Sequence, residues 1–127
     1  MDPLKILIVD DEFQNRDILR TRLEQAGYAV SEAVNGDEAI DKATQDDFRL
    51  IILDLMMPKK DGWEVLKILR ANSKTKEVPV IVLSARTQPI DEMRSWENGT
   101  SEFLSKPMDQ GDLLAAVRRL TGVEKGS

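Results

Sequence analysis

The sequence predicts an α/β fold, a doubly wound parallel sheet of five strands with helices on both faces. Three observations predict it. Short aliphatic runs alternate five times with stretches whose apolar residues recur at helical spacing. Most of the strand-like runs are unbroken Ile, Leu and Val, the pattern of parallel strands covered on both sides. Repeated strand–helix–strand order then requires right-handed crossovers, which put helices on both faces. A chain of 127 residues is the size of one domain, so a single domain over 1–127 is expected, with its core over about 5–120.

Each element has its own signal. Residues 6–9 are an uninterrupted aliphatic strand. Over 12–26, Ile18, Leu19, Leu23 and Ala26 recur at helical spacing, and Gly27 stops the helix. Residues 28–34 alternate more and read as a less buried strand. Asn35 or Gly36 starts the next helix, with Asp37 and Glu38 in its positive first turn and Ala39, Ile40 and Ala43 as its inner stripe. Residues 50–53 are the most apolar strand and the expected central one. After a loop from Pro58 to Gly62, residues 63–71 form a short helix with Val65, Leu66 and Leu69 inward, and 72–77 are a polar connection. Residues 78–83 are strand; Pro89 suits the first turn of a helix over 90–98, which Gly99 ends. A brief last strand covers 102–104. Asp109 caps a final helix whose Leu113, Leu114, Val117 and Leu120 share a face, and 122–127 is a frayed tail.

Composition narrows the chemistry. The net charge of −5 argues against direct contact with nucleic-acid phosphates. There is no cysteine and no histidine, so disulfides, thiolate nucleophiles, His-dependent triads and His metal ligands are excluded. Any acid–base or metal chemistry must use carboxylates, Lys, hydroxyls and backbone. The start lacks a charged leader followed by a long apolar core, and no apolar run approaches the roughly 18 residues of a membrane span. A cytoplasmic location without membrane contact is the expectation.

In an open parallel sheet the ligand sits beyond the carboxyl ends of the strands. Asp10 and Asp11 follow the first strand, Asp54 the third, Ser84 the fourth, and Ser105-Lys106-Pro107 the last. Three carboxylates, a hydroxyl and an ammonium would meet there. Two like charges at 4 Å cost about 1 kcal/mol in water and several times that near a protein surface. A lysine and a divalent cation would remove that cost, and with oxygen ligands alone Mg²⁺ fits best, with Mn²⁺ as a substitute. Asp10 and Asp11 could equally cap the first helix, though Asp54 at the end of an aliphatic strand favours the cluster. For Ser84 the alternative is a strand-end hydroxyl satisfied by backbone.

These motifs resemble a response-regulator receiver domain of two-component signalling, similar to the chemotaxis receiver, from about Lys5 to Leu120. The matching stretches are Ile-Val-Asp10-Asp11-Glu12, Leu-Asp54-Leu-Met56-Met57-Pro58 with Asp61-Gly62, Leu83-Ser84-Ala85-Arg86, and Phe103-Leu-Ser-Lys106-Pro107. Each is weak alone; all four, in order and at strand ends, are specific. The resemblance implies the flavodoxin-like strand order 2-1-3-4-5. It implies Asp54 as acceptor of a phosphoryl group from a sensor histidine kinase or a histidine phosphotransfer protein. Asp11 would bind Mg²⁺ directly and Asp10 largely through water, with Asp54 and the Met56 backbone carbonyl as further ligands. Lys106 would pair with the phosphoryl oxygens, and the Lys106–Pro107 bond would be cis. Ser84 would move inward on phosphorylation and Phe103 would follow, changing the face of the 90–98 helix, the last strand and the last helix toward a downstream protein. The chain would catalyse only its own phosphorylation and dephosphorylation. Met56 and Arg86 would flank the path of water to the acyl phosphate, and neither orients water, so self-dephosphorylation would be slow.

Some features keep two readings. Phe103 lacks the hydroxyl of the Tyr common at its position, and core packing explains it equally well. Pro58 and Gly62 could be plain turn chemistry. Asn98-Gly99-Thr100-Ser101 departs from the commoner Ala-Gly-Ala run. Trp96 replaces a smaller aliphatic and reads as core or as a partner contact. A magnesium phosphohydrolase would commonly carry a second acid two residues after its nucleophile, where Met56 stands. A scaffold that had lost its chemistry would not need Asp10, Asp11, Asp54, Ser84 and Lys106 together. A P-loop is absent from the sequence. Whether the chain stands alone or belongs to a longer regulator or hybrid kinase is left open by these residues.

Overall fold

In the computed structural model, which describes residues 3–55, 62–84, 99–105 and 110–122, the elements follow the predicted alternation. They are β1 (Lys5–Val9), α1 (Phe13–Gln25), β2 (Ala29–Ala33), α2 (Gly36–Gln45), β3 (Leu50–Asp54), α3 (Gly62–Ala71), β4 (Val80–Ser84), β5 (Glu102–Ser105) and α4 (Gln110–Thr121). The strands form a five-stranded sheet in the order β2-β1-β3-β4-β5, and every neighbouring pair is parallel. This is the doubly wound sheet and the strand order expected. The 90–98 helix with Pro89 and Trp96, together with Met56, Pro58, Arg86, Lys106, Pro107, Asp109 and the tail beyond 122, lies outside the described residues.

Alternation along the strands builds two cores. Leu7, Val9, Ile51, Leu53, Val80, Val82 and Phe103 meet α2 and α3 through Ala39, Ala43, Val65, Leu66 and Leu69. Ile6, Ile8, Leu50, Ile52, Ile81 and Leu83 meet α1 and α4 through Leu19, Leu23, Leu113, Ala116 and Val117. Fully burying one such side chain contributes roughly 1.5–3 kcal/mol, so the sheet's two faces carry the stability. β3 is central and buried throughout, as its composition predicted. β2 lies at the edge and only Ala33 is buried, which its alternation foreshadowed.

α1 departs from the expected stripe. Leu19 and Leu23, four residues apart, form its line of contact with the sheet, while Ile18 is 51% exposed because one residue turns the helix by about 100°. Ala26 sits at the C-cap and is exposed. Gly27 ends the helix at φ +97°. Its amide donates to the Glu24 carbonyl and that of Tyr28 to the Leu23 carbonyl, both at 3.0 Å, closing the last turn. In α2 the Asn35 side chain accepts the Glu38 amide at 2.9 Å, so Asn35 is the cap. β4 begins two residues later than predicted. Val78 and Pro79 belong to a loop that Arg70 closes by donating to the Val78 carbonyl at 2.6 Å and the Gly99 carbonyl at 2.8 Å. Burial pushes the Arg70 pKa below its ordinary value. Among the described residues no helix is long and apolar enough to cross a membrane.

Candidate functional site

Strand register brings Asp10, Asp54 and Ser84, of the predicted residues, to one end of the sheet. Val9 pairs with Leu53, so Asp10 and Asp54 leave that pair level with each other on adjacent strands. Asp54 in turn pairs with Leu83, and Ser84 with Ser105. Side chains alternate along a strand, so Asp54 continues the Leu50, Ile52 series facing α1 and α4. Ser84 continues the Val80, Val82 series on the other face, where Phe103 lies beside Val82.

Asp10, Asp54 and Ser84 are 1%, 4% and 0% exposed. A buried carboxylate costs several kcal/mol even after relaxation, so specific bonds must hold such groups. Asp10 is gripped along its main chain and side chain. Its amide donates to the Ala33 carbonyl at 3.1 Å, its carboxylate accepts the Glu12 amide at 2.9 Å, and its carbonyl accepts Arg16 Nη1 at 2.9 Å. Arg16 Nε donates onward to Glu32 of β2 at 3.1 Å, and Arg20 Nη1 reaches the same carboxylate at 2.9 Å. The cap reading of Asp10 and Asp11 does not hold. The N-cap of α1 is Glu12, with no side-chain cap bond.

Asp10, Asp11 and Glu12 each place a carboxylate oxygen within 4.8 Å of the others. Asp10 is buried, while Asp11 and Glu12 are exposed. Asp54 stands next to this group, across the β1–β3 pairing, rather than within it. Oxygen donors of net negative charge, rooted on one side and open on the other, fit a hard divalent cation such as Mg²⁺ or Mn²⁺. Glu12 is an addition to the expected set; the run of three acids was the available signal. Arg16 and Glu32 were also missed, because their pairing joins α1 to β2 and leaves no local pattern.

Behind Asp54 the chain is packed without slack. The Gly62 amide donates to the Leu55 carbonyl at 3.1 Å. A Cβ at Gly62 would lie 2.6 Å from Leu55 Cα and 3.0 Å from the Asp54 carbonyl oxygen. Gly62 is therefore required by close approach to Leu55, just past β3, not by turn geometry. At Thr100 and Ser101 the departure from small apolar residues supplies hydroxyls. Thr100 Oγ1 donates to the Val80 carbonyl at 3.4 Å, and Ser101 Oγ accepts the Val80 amide at 3.2 Å, stitching β4 to the start of β5.

Comparison with known proteins agrees with this geometry. A family model described as the response regulator receiver domain matches residues 6–118. The transcriptional regulatory protein ResD of Bacillus subtilis is 41% identical over 116 residues, 91% of this chain and 47% of that protein. HprR of Escherichia coli, another transcriptional regulatory protein, is 37% identical over 115 residues, 91% of this chain and 50% of that protein. The chain spans about half the length of the curated relatives it matches. Among solved structures, chemotaxis protein CheY4 of Vibrio cholerae is 34% identical with a TM-score of 0.88, covering 93% of this chain and 98% of that one. The receiver domain of sensor histidine kinase PA1611 from Pseudomonas aeruginosa, solved with magnesium coordinated in its active-site cleft, is 27% identical with a TM-score of 0.87, covering 94% and 98%.

Proposed function

The chain belongs to the response-regulator receiver family, whose general function in two-component signalling is to accept a phosphoryl group, and from that premise we propose that Asp54 is the acceptor. The donor is the phosphohistidine of a sensor histidine kinase or a histidine phosphotransfer protein. A carboxylate oxygen of Asp54 bonds to phosphorus while the donor's phosphorus–nitrogen bond breaks, its electron pair returning to the imidazole. A carboxylate needs no general base, so the lack of histidine in the chain is no obstacle. The observation that carries the reading is the register that sets buried Asp54 level with Asp10, beside a group of three acids.

Asp11, Asp10 through water, Asp54 and the Met56 carbonyl would hold Mg²⁺, with Mn²⁺ able to replace it. The bound ion supplies charge neutralisation between the acids and the incoming phosphoryl group. Magnesium in the cleft of the Pseudomonas receiver supports that assignment. Lys106 pairs with the phosphoryl oxygens. Ser84 donates a hydrogen bond to an oxygen that arrives with the phosphoryl group, and Phe103, on the same face of the sheet, follows it inward. The output is a changed surface of residues 90–98, β5 and α4 offered to a downstream protein in the cytoplasm. The chain acts as one domain over 1–127, on no substrate but itself, without direct nucleic-acid or membrane contact. Incubation with acetyl phosphate and Mg²⁺ followed by intact mass tests the reading. One added phosphoryl group per chain is expected; no addition to protein that binds Mg²⁺ would overturn it.

A further inference from the structure

We propose that Arg16 is a positioning residue for the metal-binding acids, with Glu32 as its brace; this rests on the reading of the acid turn as a Mg²⁺ site. Arg16 is a side chain only 12% exposed. Its fork is split between two tasks, Nη1 donating to the Asp10 carbonyl at 2.9 Å and Nε to Glu32 at 3.1 Å. Glu32 pairs with Ile8 across β1 and β2, so the brace stands on the strand beside the acid turn. Arg20 holds the other oxygen of Glu32 at 2.9 Å, which fixes the acceptor before Arg16 uses it. The result is a rigid path from β2 through Arg16 to the main chain of Asp10. Without it, the Asp10 carbonyl would lose the bond that ties the acid turn to β2 through Glu32. Arg is suited to this and Lys is not, because one ammonium cannot span both acceptors with a fixed geometry.

Positioning and charge make opposite forecasts. Arg16 is a cation bonded to the turn that carries the three acids, and its Coulomb repulsion with Mg²⁺ alone says its removal should tighten Mg²⁺ binding. If its task is to hold the turn, removal should loosen the ligands and weaken binding. A merely structural role would lower the melting temperature and leave affinity unchanged at temperatures where the variant is folded.

Mg²⁺ titration of the full chain by calorimetry, beside thermal melts, separates these. For Arg16→Met the Kd is expected to rise at least fivefold at a temperature where the chain is fully folded. Arg16→Lys, which keeps the charge, should fall between wild type and Arg16→Met. Glu32→Gln, which leaves the Arg16 bond to Asp10 but weakens the brace, should raise the Kd by a smaller factor. It also serves if Arg16→Met does not fold. An Arg16→Met Kd equal to or below that of wild type would overturn the positioning role. If Arg16→Met is unfolded, a Glu32→Gln Kd equal to wild type would do so. Wild type that binds no Mg²⁺ would overturn the metal reading itself, a result distinct from either.

Discussion

The two ends of the sheet treat their acids in opposite ways. At the amino end Lys5 Nζ holds both oxygens of Asp46, at 3.0 and 2.9 Å, and Lys74 lies 3.7 Å from Asp47. At the carboxyl end Asp10, Asp11 and Glu12 crowd one another within 4.8 Å, and Arg16, which reaches this turn, bonds the main-chain carbonyl of Asp10 and the Glu32 carboxylate of β2. The amino end is neutralised in place and needs nothing more. The carboxyl end gathers three acids in one turn, a grouping of oxygen donors that a divalent cation would suit.

The contrast extends to the glycines, and this gives the largest expected effect. Gly27, at the amino end, sits at φ +97° with open space around it, whereas Gly62, behind Asp54, has none for a Cβ. Gly62→Ala should cost roughly 3 kcal/mol because backbone must shift, and Gly27→Ala about 1 kcal/mol for its left-handed conformation. Urea unfolding of both variants checks the order; equal losses would mean that the site end has slack.

Removing one acid from each end should move stability in opposite directions. Asp11→Asn relieves like-charge repulsion and should raise metal-free stability by about 1 kcal/mol, while weakening Mg²⁺ binding at least tenfold. Loss of metal-free stability in Asp11→Asn would break the comparison. Ser84→Ala should still accept phosphate but show smaller amide-shift changes at Phe103 on phosphorylation than wild type, measured by NMR. Changes of wild-type size would detach Ser84 from the switch.

The smallest effect belongs to the amino end. The Lys5 hydrogen bond, then the Asp47 amide, hold the Asp46 carboxyl below its ordinary value. A depressed carboxyl contributes stability above its unfolded value of about 3.9 and loses it as pH falls through the folded value. Asp46→Asn should therefore melt slightly below wild type at neutral pH, and the gap should close below about pH 3.9. A gap that persists in acid would assign the effect to something other than this pair.

Much of this was legible in the sequence, for physical reasons. β1, β3 and β4 are runs of aliphatics that suit a parallel strand buried on both faces. Asp10, Asp54 and Ser84 stood out as polar residues ending such runs. Ile18 was misplaced because a helix with few apolar residues admits more than one stripe, and the sheet contact through Leu19 and Leu23 decides between them. The reason for Gly62 could not be read locally, since the atoms that exclude a Cβ belong to Leu55 and Asp54, at the end of β3. Arg16 and Glu32 look like surface charges until β2 is laid beside β1.

Phosphoryl acceptance at Asp54 is tested most directly by mapping the modified residue. Wild type and Asp54→Asn are incubated with acetyl phosphate and Mg²⁺, then compared by intact mass and by peptide mapping after borohydride trapping of the acyl phosphate. Wild type should gain one phosphoryl group mapped to Asp54, and Asp54→Asn, still folded, should gain none. Full labelling of Asp54→Asn, or a wild-type modification mapped to Asp10 or Asp11, would contradict the assignment.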